Sequence, residues 1–216
     1  MNVKRKVVLF LPGFACESWI WEGAAARFSD RFDCVRVDWP LERTPDFHEV
    51  GAFADWLEEA HSAELARAAA LVGHSMGGLV ATAFCARRPG PRLVLVESFP
   101  HGISPFFKNL SVEDGSSATH RRLVEMVLRN GSRYSARLRK DLRLRDYTDL
   151  AAEYRGPFAG VFGMRASSDE EEVRRALGWS PEVLSRASLR FIPRSAHFPM
   201  LENPSECFRA LEELLG

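Results

Sequence analysis

"LVGHSMGGLV", residues 71–80, decides the reading of the fold. An apolar run, "AALV", leads into Gly73-His74-Ser75-Met76-Gly77, and "GGLVATAFCA" continues with the composition of a buried helix. A G-x-S-x-G pentapeptide between a strand and a helix places its serine on a sharp, strained turn, with the hydroxyl exposed at the end of a sheet. The glycines on either side serve a steric need, because Cβ atoms would collide where the chain doubles back. The helix that follows turns its amino terminus, with free N–H groups, toward whatever the serine attacks. The same five residues without that context would be only a glycine-rich turn.

Outward from this turn, short apolar strands alternate with helical patterns. "KVVLFLPG", "DCVRVDWP", "AAALVGHS", "RLVLVESFP", "PFAGVFG" and "SLRFIPRSAH" are strand candidates. "WIWEGAAARFSDRF", "FHEVGAFADWLEEAHSAE", "GGLVATAFCARRP", "EEEVRRALG" and "PSECFRALEELLG" are helix candidates. Continuous apolar strands separated by helices predict an α/β architecture, a mostly parallel sheet with helices on both faces. From about Ser116 to Leu150 the rhythm breaks into helical sequence alone, "THRRLVEMVLRNG" and then "SRYSARLRKDLRLRDYTDL". In the second segment Tyr134, Leu138 and Leu142 fall on one face at i, i+4 and i+8. The expected organisation is a core of residues 1–100 and 156–216, with residues 101–155 inserted as a small helical cap.

The 216 residues suit one such domain, and 46% hydrophobic with 27% charged content is ordinary for a globular chain. A net charge of zero offers no global field to recruit nucleic acid. Cys16, Cys34, Cys85 and Cys207 are widely spaced and form no CxxC pair, which fits reduced thiols rather than disulfides or zinc. The apolar run Val7–Leu11 is short and is interrupted by Pro12-Gly13, so it reads as a core strand rather than a signal peptide. No run approaches the ~18 apolar residues of a membrane span. A cytoplasmic location without membrane attachment is the expectation. HExxH, P-loop and dinucleotide-binding motifs are absent, and no metal or organic cofactor is expected.

His197, in "RFIPRSAHFPMLENP", follows the last strand at the distance a hydrolase base needs if the chain order is serine, acid, histidine. An imidazole titrating near neutrality can take the serine proton and hand it to the leaving group. Pro12-Gly13-Phe14 ends the first strand, and N–H groups of Phe14 and Met76 are placed to hold an oxyanion. Phe14 and Phe198 flank this chemistry and are candidates to contact substrate, beside Trp19, Trp21, Phe99, Phe106, Phe107 and Met126.

These residues resemble the α/β-hydrolase superfamily over nearly the whole chain. Within it the resemblance is to the biotin-synthesis carboxylesterases, which remove the methyl group from a pimeloyl-acyl-carrier-protein methyl ester. It is carried by "LPGFACESWIW", "LVGHSMGGLVA", "RRLVEMVL" and "SAHFPMLENPSECF". The resemblance implies Ser75 as nucleophile, His197 as general base, and Phe14 and Met76 as oxyanion residues. The chain departs from the pattern in three ways. The usual His-Gly of the oxyanion loop is Pro12-Gly13, the cap and amino terminus are short, and the G-x-x-D after the penultimate strand is Gly163-Met164-Arg165-Ala166. Two residues are candidates for the acid that orients His197. Asp169 lies three residues late on the customary loop and is slightly preferred, although "SSDEEE" also reads as a helix cap. Glu97, ending the strand "RLVLVE", is the alternative.

Between Ser116 and Leu150 nine basic and four acidic residues leave +5, so the remainder carries −5. Arg133, Arg137 and Lys140 fall at i, i+4 and i+7, and such a face suits an acidic partner such as an acyl carrier protein. The expected activity is a serine carboxylesterase on a carrier-bound or otherwise anionic acyl ester. A thioesterase or a menaquinone-pathway-type lyase on the same fold is one rival. A catalytically silent binding protein is another, favoured by the missing carboxylate at position 166.

Overall fold

Six strands form one fully parallel sheet in the order β2-β1-β3-β4-β5-β6, in a computed structural model that describes residues 5–88, 90–100, 105–111 and 117–216. The strands are β1 (Val7–Leu11), β2 (Asp33–Arg36), β3 (Ala68–His74), β4 (Arg92–Val96), β5 (Phe158–Gly163) and β6 (Ala187–Ile192). All six arise where the sequence predicts strands. The helices are α1 (Glu22–Phe28), α2 (Val50–Ala60), α3 (Ser62–Leu65), α4 (Met76–Arg87), α5 (Ala118–Gly131), α6 (Ala136–Leu144), α7 (Thr148–Glu153), α8 (Glu170–Ala176), α9 (Pro181–Arg186), α10 (Pro199–Glu202) and α11 (Pro204–Leu215).

Strand side chains alternate between two cores. Val7, Leu9 and Leu11 of β1 pack with α2 and α4, whereas Val8 and Phe10 pack with α1 and α11. Both faces are covered, which is why the inner strands β1, β3, β4 and β5 read as nearly unbroken apolar runs, whereas the edge strands β2 and β6 carry polar residues. Each buried Val, Leu or Phe contributes about 1.5–3 kcal/mol of transfer free energy before entropy is counted. The central helix α4 is apolar all round, and its residues from Met76 to Cys85 are buried.

The inserted segment corrects the expected helix phase. A single helix from Ser132 onward would place Arg133 and Tyr134 on it. Instead Ser135 caps α6 by accepting Leu138 N–H at 3.0 Å, and the helix starts at Ala136. Arg145 is extended, so α6 ends and α7 begins anew, with Asp146 accepting Thr148 N–H at 2.8 Å. Arg133 and Tyr134 thus belong to the turn before α6, and the three-cation face is not one helical face. Tyr134 is buried against Phe14, ring centroids 4.6 Å apart, while Thr44 and Ser135 hydroxyls bond the Arg133 and Phe47 carbonyls. The expected cap boundary at residue 101 lies outside the described residues. No described helix is long and apolar enough to cross a membrane.

Gly77 shows how tightly the turn is built. A Cβ there would stand 2.5 Å from the Pro12 carbonyl oxygen, which is backbone and cannot rotate away. Gly77→Ala is therefore expected to cost at least about 2 kcal/mol in urea unfolding, within the usual range for overpacking. A loss below about 0.5 kcal/mol would show that the turn relaxes freely.

Candidate active site

The carboxyl ends of the strands bring together residues far apart in sequence. Each non-glycine residue with positive φ among the described residues sits just beyond a strand end: Ala15 (59°) after β1, Ser75 (51°) after β3, Glu97 (48°) after β4, Arg165 (55°) after β5 and Arg194 (52°) after β6. Such conformations cost on the order of 1–3 kcal/mol each and persist where the surroundings over-determine them. Here sheet pairing does so, continuing past the strands as Ser75 N–H to Val96 O and Glu97 N–H to Val161 O, both at 3.0 Å.

Ser75 links His74, the last residue of β3, to Met76, the first of α4, and is half-buried. Its hydroxyl makes no hydrogen bond among the described residues. The N–H groups of Phe14 and Met76 are likewise without partners among them, as an oxyanion site requires. Gly13 lets the Phe14 loop lie against the turn, since a Cβ there would meet His74 Nδ1 at 2.8 Å. Two indole N–H groups, of Trp21 and Trp39, anchor the loop through the Leu11 and Pro12 carbonyls, both at 3.1 Å. Trp21 is thereby core rather than pocket.

His197 follows β6. Glu202 holds its loop by accepting N–H from Ala196 at 2.7 Å and Phe198 at 3.2 Å. The His197 carbonyl accepts from His74 Nε2 at 2.8 Å. Burial holds His74 well below the usual imidazole range, with the nearby His197 adding to it. His74 is consequently the neutral Nε2–H tautomer. His197 Nδ1 stands 3.3 Å from Glu97 Oε2. Glu97 is completely buried, and its Oε1 accepts Gly163 N–H at 2.7 Å.

The preference for Asp169 is corrected by this geometry. Asp169 caps α8, accepting Glu171 N–H at 2.9 Å, and its side chain is 60% exposed. The cap reading of "SSDEEE" prevails because the loop is satisfied locally: Asp169 Oδ1 accepts a helix N–H, and Ser167 Oγ accepts the Asp169 N–H at 3.0 Å. The carboxylate that meets His197 is Glu97, the alternative. Phe198 is also corrected: it braces the rings of His74 and His197, with centroids 4.8 and 5.2 Å away, and does not line the cavity.

A cavity of about 560 Å³ opens over Ser75. Phe14, Leu79, Phe99 and Leu142 supply apolar wall, and Glu97 closes one side. Arg139, Lys140 and Arg143 of α6 give it a cationic side. The size suits a small-molecule or acyl ligand. Arg133 and Arg137 are exposed and take no part in it. Trp19 lies on a different cleft, stacked under Arg122 at 4.0 Å, with its N–H on Met126 Sδ at 3.1 Å. Sequence reasoning missed Arg139, Arg143 and Arg165; only the phase set by Ser135 would have signalled the first two.

The model of the alpha/beta hydrolase family matches residues 8–210. The chain belongs to the α/β-hydrolase family. It is 26% identical, over 239 aligned residues covering 94% of each chain, to the pimeloyl-[acyl-carrier protein] methyl ester esterase of Nitrosomonas europaea. Among solved structures it superposes on an esterase from Exiguobacterium antarcticum with TM-score 0.80 and 14% identity, covering 98% of this chain and 92% of that one. A thermophilic esterase from Thermogutta terrifontis matches with TM-score 0.75 and 20% identity, covering 98% and 90%. These structures share the hydrolase fold, and the family with its esterase relative supports ester hydrolysis in general.

The two carboxylates predict opposite outcomes. Asp169→Ala is expected to keep kcat/KM on a short ester within about twofold, whereas Glu97→Gln is expected to lower kcat by roughly 10²–10⁴. The reverse ranking would return the acid to the loop after β5.

Proposed function

We propose that the protein is a serine carboxylic-ester hydrolase in which Ser75 is the nucleophile, His197 the general base and Glu97 the acid. The observation that carries this reading is the contact of Glu97 Oε2 with His197 Nδ1, on a loop whose His197 carbonyl accepts at 2.8 Å from Nε2 of His74, the residue before Ser75. With Nδ1–H directed at Glu97, His197 Nε2 is free to take the Ser75 proton as Oγ attacks the acyl carbon. The tetrahedral oxyanion is met by the N–H groups of Phe14 and Met76, and the α4 amino terminus adds its dipole. Collapse breaks the ester C–O bond, and the imidazolium returns its proton to the departing alkoxide. Water, deprotonated by the same nitrogen, then attacks the acyl-Ser75 ester and releases the acid. With Glu97 at His197, Ala166 no longer favours a silent binding protein.

For substrate we favour an acyl ester bearing negative charge, of the carrier-bound pimeloyl methyl ester type. An apolar wall suits the acyl chain, and Arg139, Lys140 and Arg143 suit an anionic group at its far end or on its carrier. The named activity of the Nitrosomonas europaea relative supports this choice. Arg133, Arg137 and Lys140 remain the proposed contacts for an acidic carrier, the first two from the outer surface. Biotin synthesis in the cytoplasm follows from that substrate, and the four free cysteines are consistent with it.

One experiment on two esters tests both parts. Ser75→Ala should lower kcat on pimeloyl-carrier methyl ester and on p-nitrophenyl acetate by at least about 10³. Arg139→Glu combined with Arg143→Glu should lower kcat/KM at least about tenfold on the carrier ester alone. Activity retained by Ser75→Ala rejects the mechanism, and equal loss on both esters by the charge reversal rejects the substrate.

A further inference from the structure

The Glu97 carboxylate is gripped more firmly by an arginine than by the histidine. Arg165 Nη1 donates to Oε1 at 2.9 Å and Nη2 to Oε2 at 2.7 Å, against 3.3 Å for His197 Nδ1 on the same Oε2. Both members of this pair are buried, with side chains 5% and 0% exposed. The arginine is itself held on every side. Its N–H donates to Ser195 O and Nη1 to Gly163 O, both at 2.8 Å. Nε and Nη2 reach the Asn109 and Phe107 carbonyls at 3.3 and 3.4 Å. The guanidinium lies 4.6 Å over the Phe107 ring, and the residue adopts a left-handed backbone to get there.

We propose that Arg165 is a positioning residue that fixes the Glu97 carboxylate behind His197 and offsets its charge, so that the imidazole works against a neutral ion pair. The inference rests on the reading of Ser75, His197 and Glu97 as the catalytic groups. A bidentate fork locks the carboxylate plane, which a single imidazole contact does not. It also places a cation just behind the anion that stabilises the imidazolium, which weakens that stabilisation.

Other groups around His197 leave this assignment intact. From the end of β3, His74 is neutral, its ring 4.7 Å away. From α10, Glu202 is committed to the loop N–H groups of Ala196 and Phe198. Arg139, Lys140 and Arg143 face the shared cavity from α6. Among the described residues, Arg165 and His197 alone form ion pairs with Glu97.

The sign of the effect follows. The base must be neutral to accept the Ser75 proton, so a less stabilised imidazolium keeps the enzyme active at lower pH. Removing Arg165 leaves a bare carboxylate, favours the imidazolium and moves the acidic limb of kcat/KM upward. The pH profile of a neutral short-chain ester in Arg165→Met, checked for folding by circular dichroism, should show that limb raised by roughly one pH unit. In Glu97→Gln/Arg165→Met both charges vanish together, a change buried pairs often tolerate in folding. There the limb should stay within about half a unit of native although kcat falls.

An unmoved limb in folded Arg165→Met, or a limb lowered by more than about half a unit in the double variant, overturns the assignment. Fluorophosphonate labelling of the native enzyme is scored alongside. An unlabelled Ser75 sinks the catalytic reading itself, whereas a labelled Ser75 with the limb unmoved sinks the role of Arg165 alone.

Discussion

A carboxylate withdrawn completely from water sets the terms for this end of the sheet. Ionised, Glu97 would cost several kcal/mol to bury without partners, and removing one partner from a buried pair commonly costs about 3–5 kcal/mol. Its partners come from the ends of two further strands: Gly163 N–H closing β5, the Arg165 fork just beyond it, and His197 beyond β6. The electrostatic requirement of one side chain therefore fixes the relative positions of β4, β5 and β6 where they open to the cavity. The loops comply at close range: a Cβ on Gly163 would lie 2.5 Å from the Ser195 carbonyl oxygen.

The same economy governs the other half of the site. Ser75 is held in a conformation that most residues avoid, and what holds it is backbone: the Val96 carbonyl on one side and the Pro12–Gly77 approach on the other. The Phe14 loop is fastened through Trp21 and Trp39, and through Asn130 of α5, whose amide reaches the Ala15 carbonyl at 3.3 Å. Ser75, the Phe14 and Met76 N–H groups and His197 are thus set by groups belonging to the core, and α6 brings Arg139, Lys140 and Arg143 to the cavity.

What was legible in the sequence was local. The inner strands β1, β3, β4 and β5 were legible because parallel strands covered on both faces are nearly all apolar, and the glycines around Ser75 declared the turn by steric necessity. The carboxylate that meets His197 was not legible, because it depends on what the register of β4 against β5 carries there, a long-range fact. Asp169 and Glu97 differ little as letters; one is satisfied by its own helix and the other by residues 66 to 100 positions away. Arg165 left no local trace for the same reason. The cavity cations were misphased by a few residues because Ser135, a cap that looks like any other serine, resets where α6 begins.

Whether His197 works between Ser75 and Glu97 is decided by a crystal structure of the Ser75 phosphonate adduct. The phosphonyl oxygen is expected within about 3 Å of both the Phe14 and Met76 nitrogens. His197 Nδ1 is expected at about 2.6–3.2 Å from Glu97 Oε2, with the Arg165 fork intact. His197 rotated toward Asp169, or a phosphonyl oxygen bound away from those two N–H groups, would contradict this arrangement.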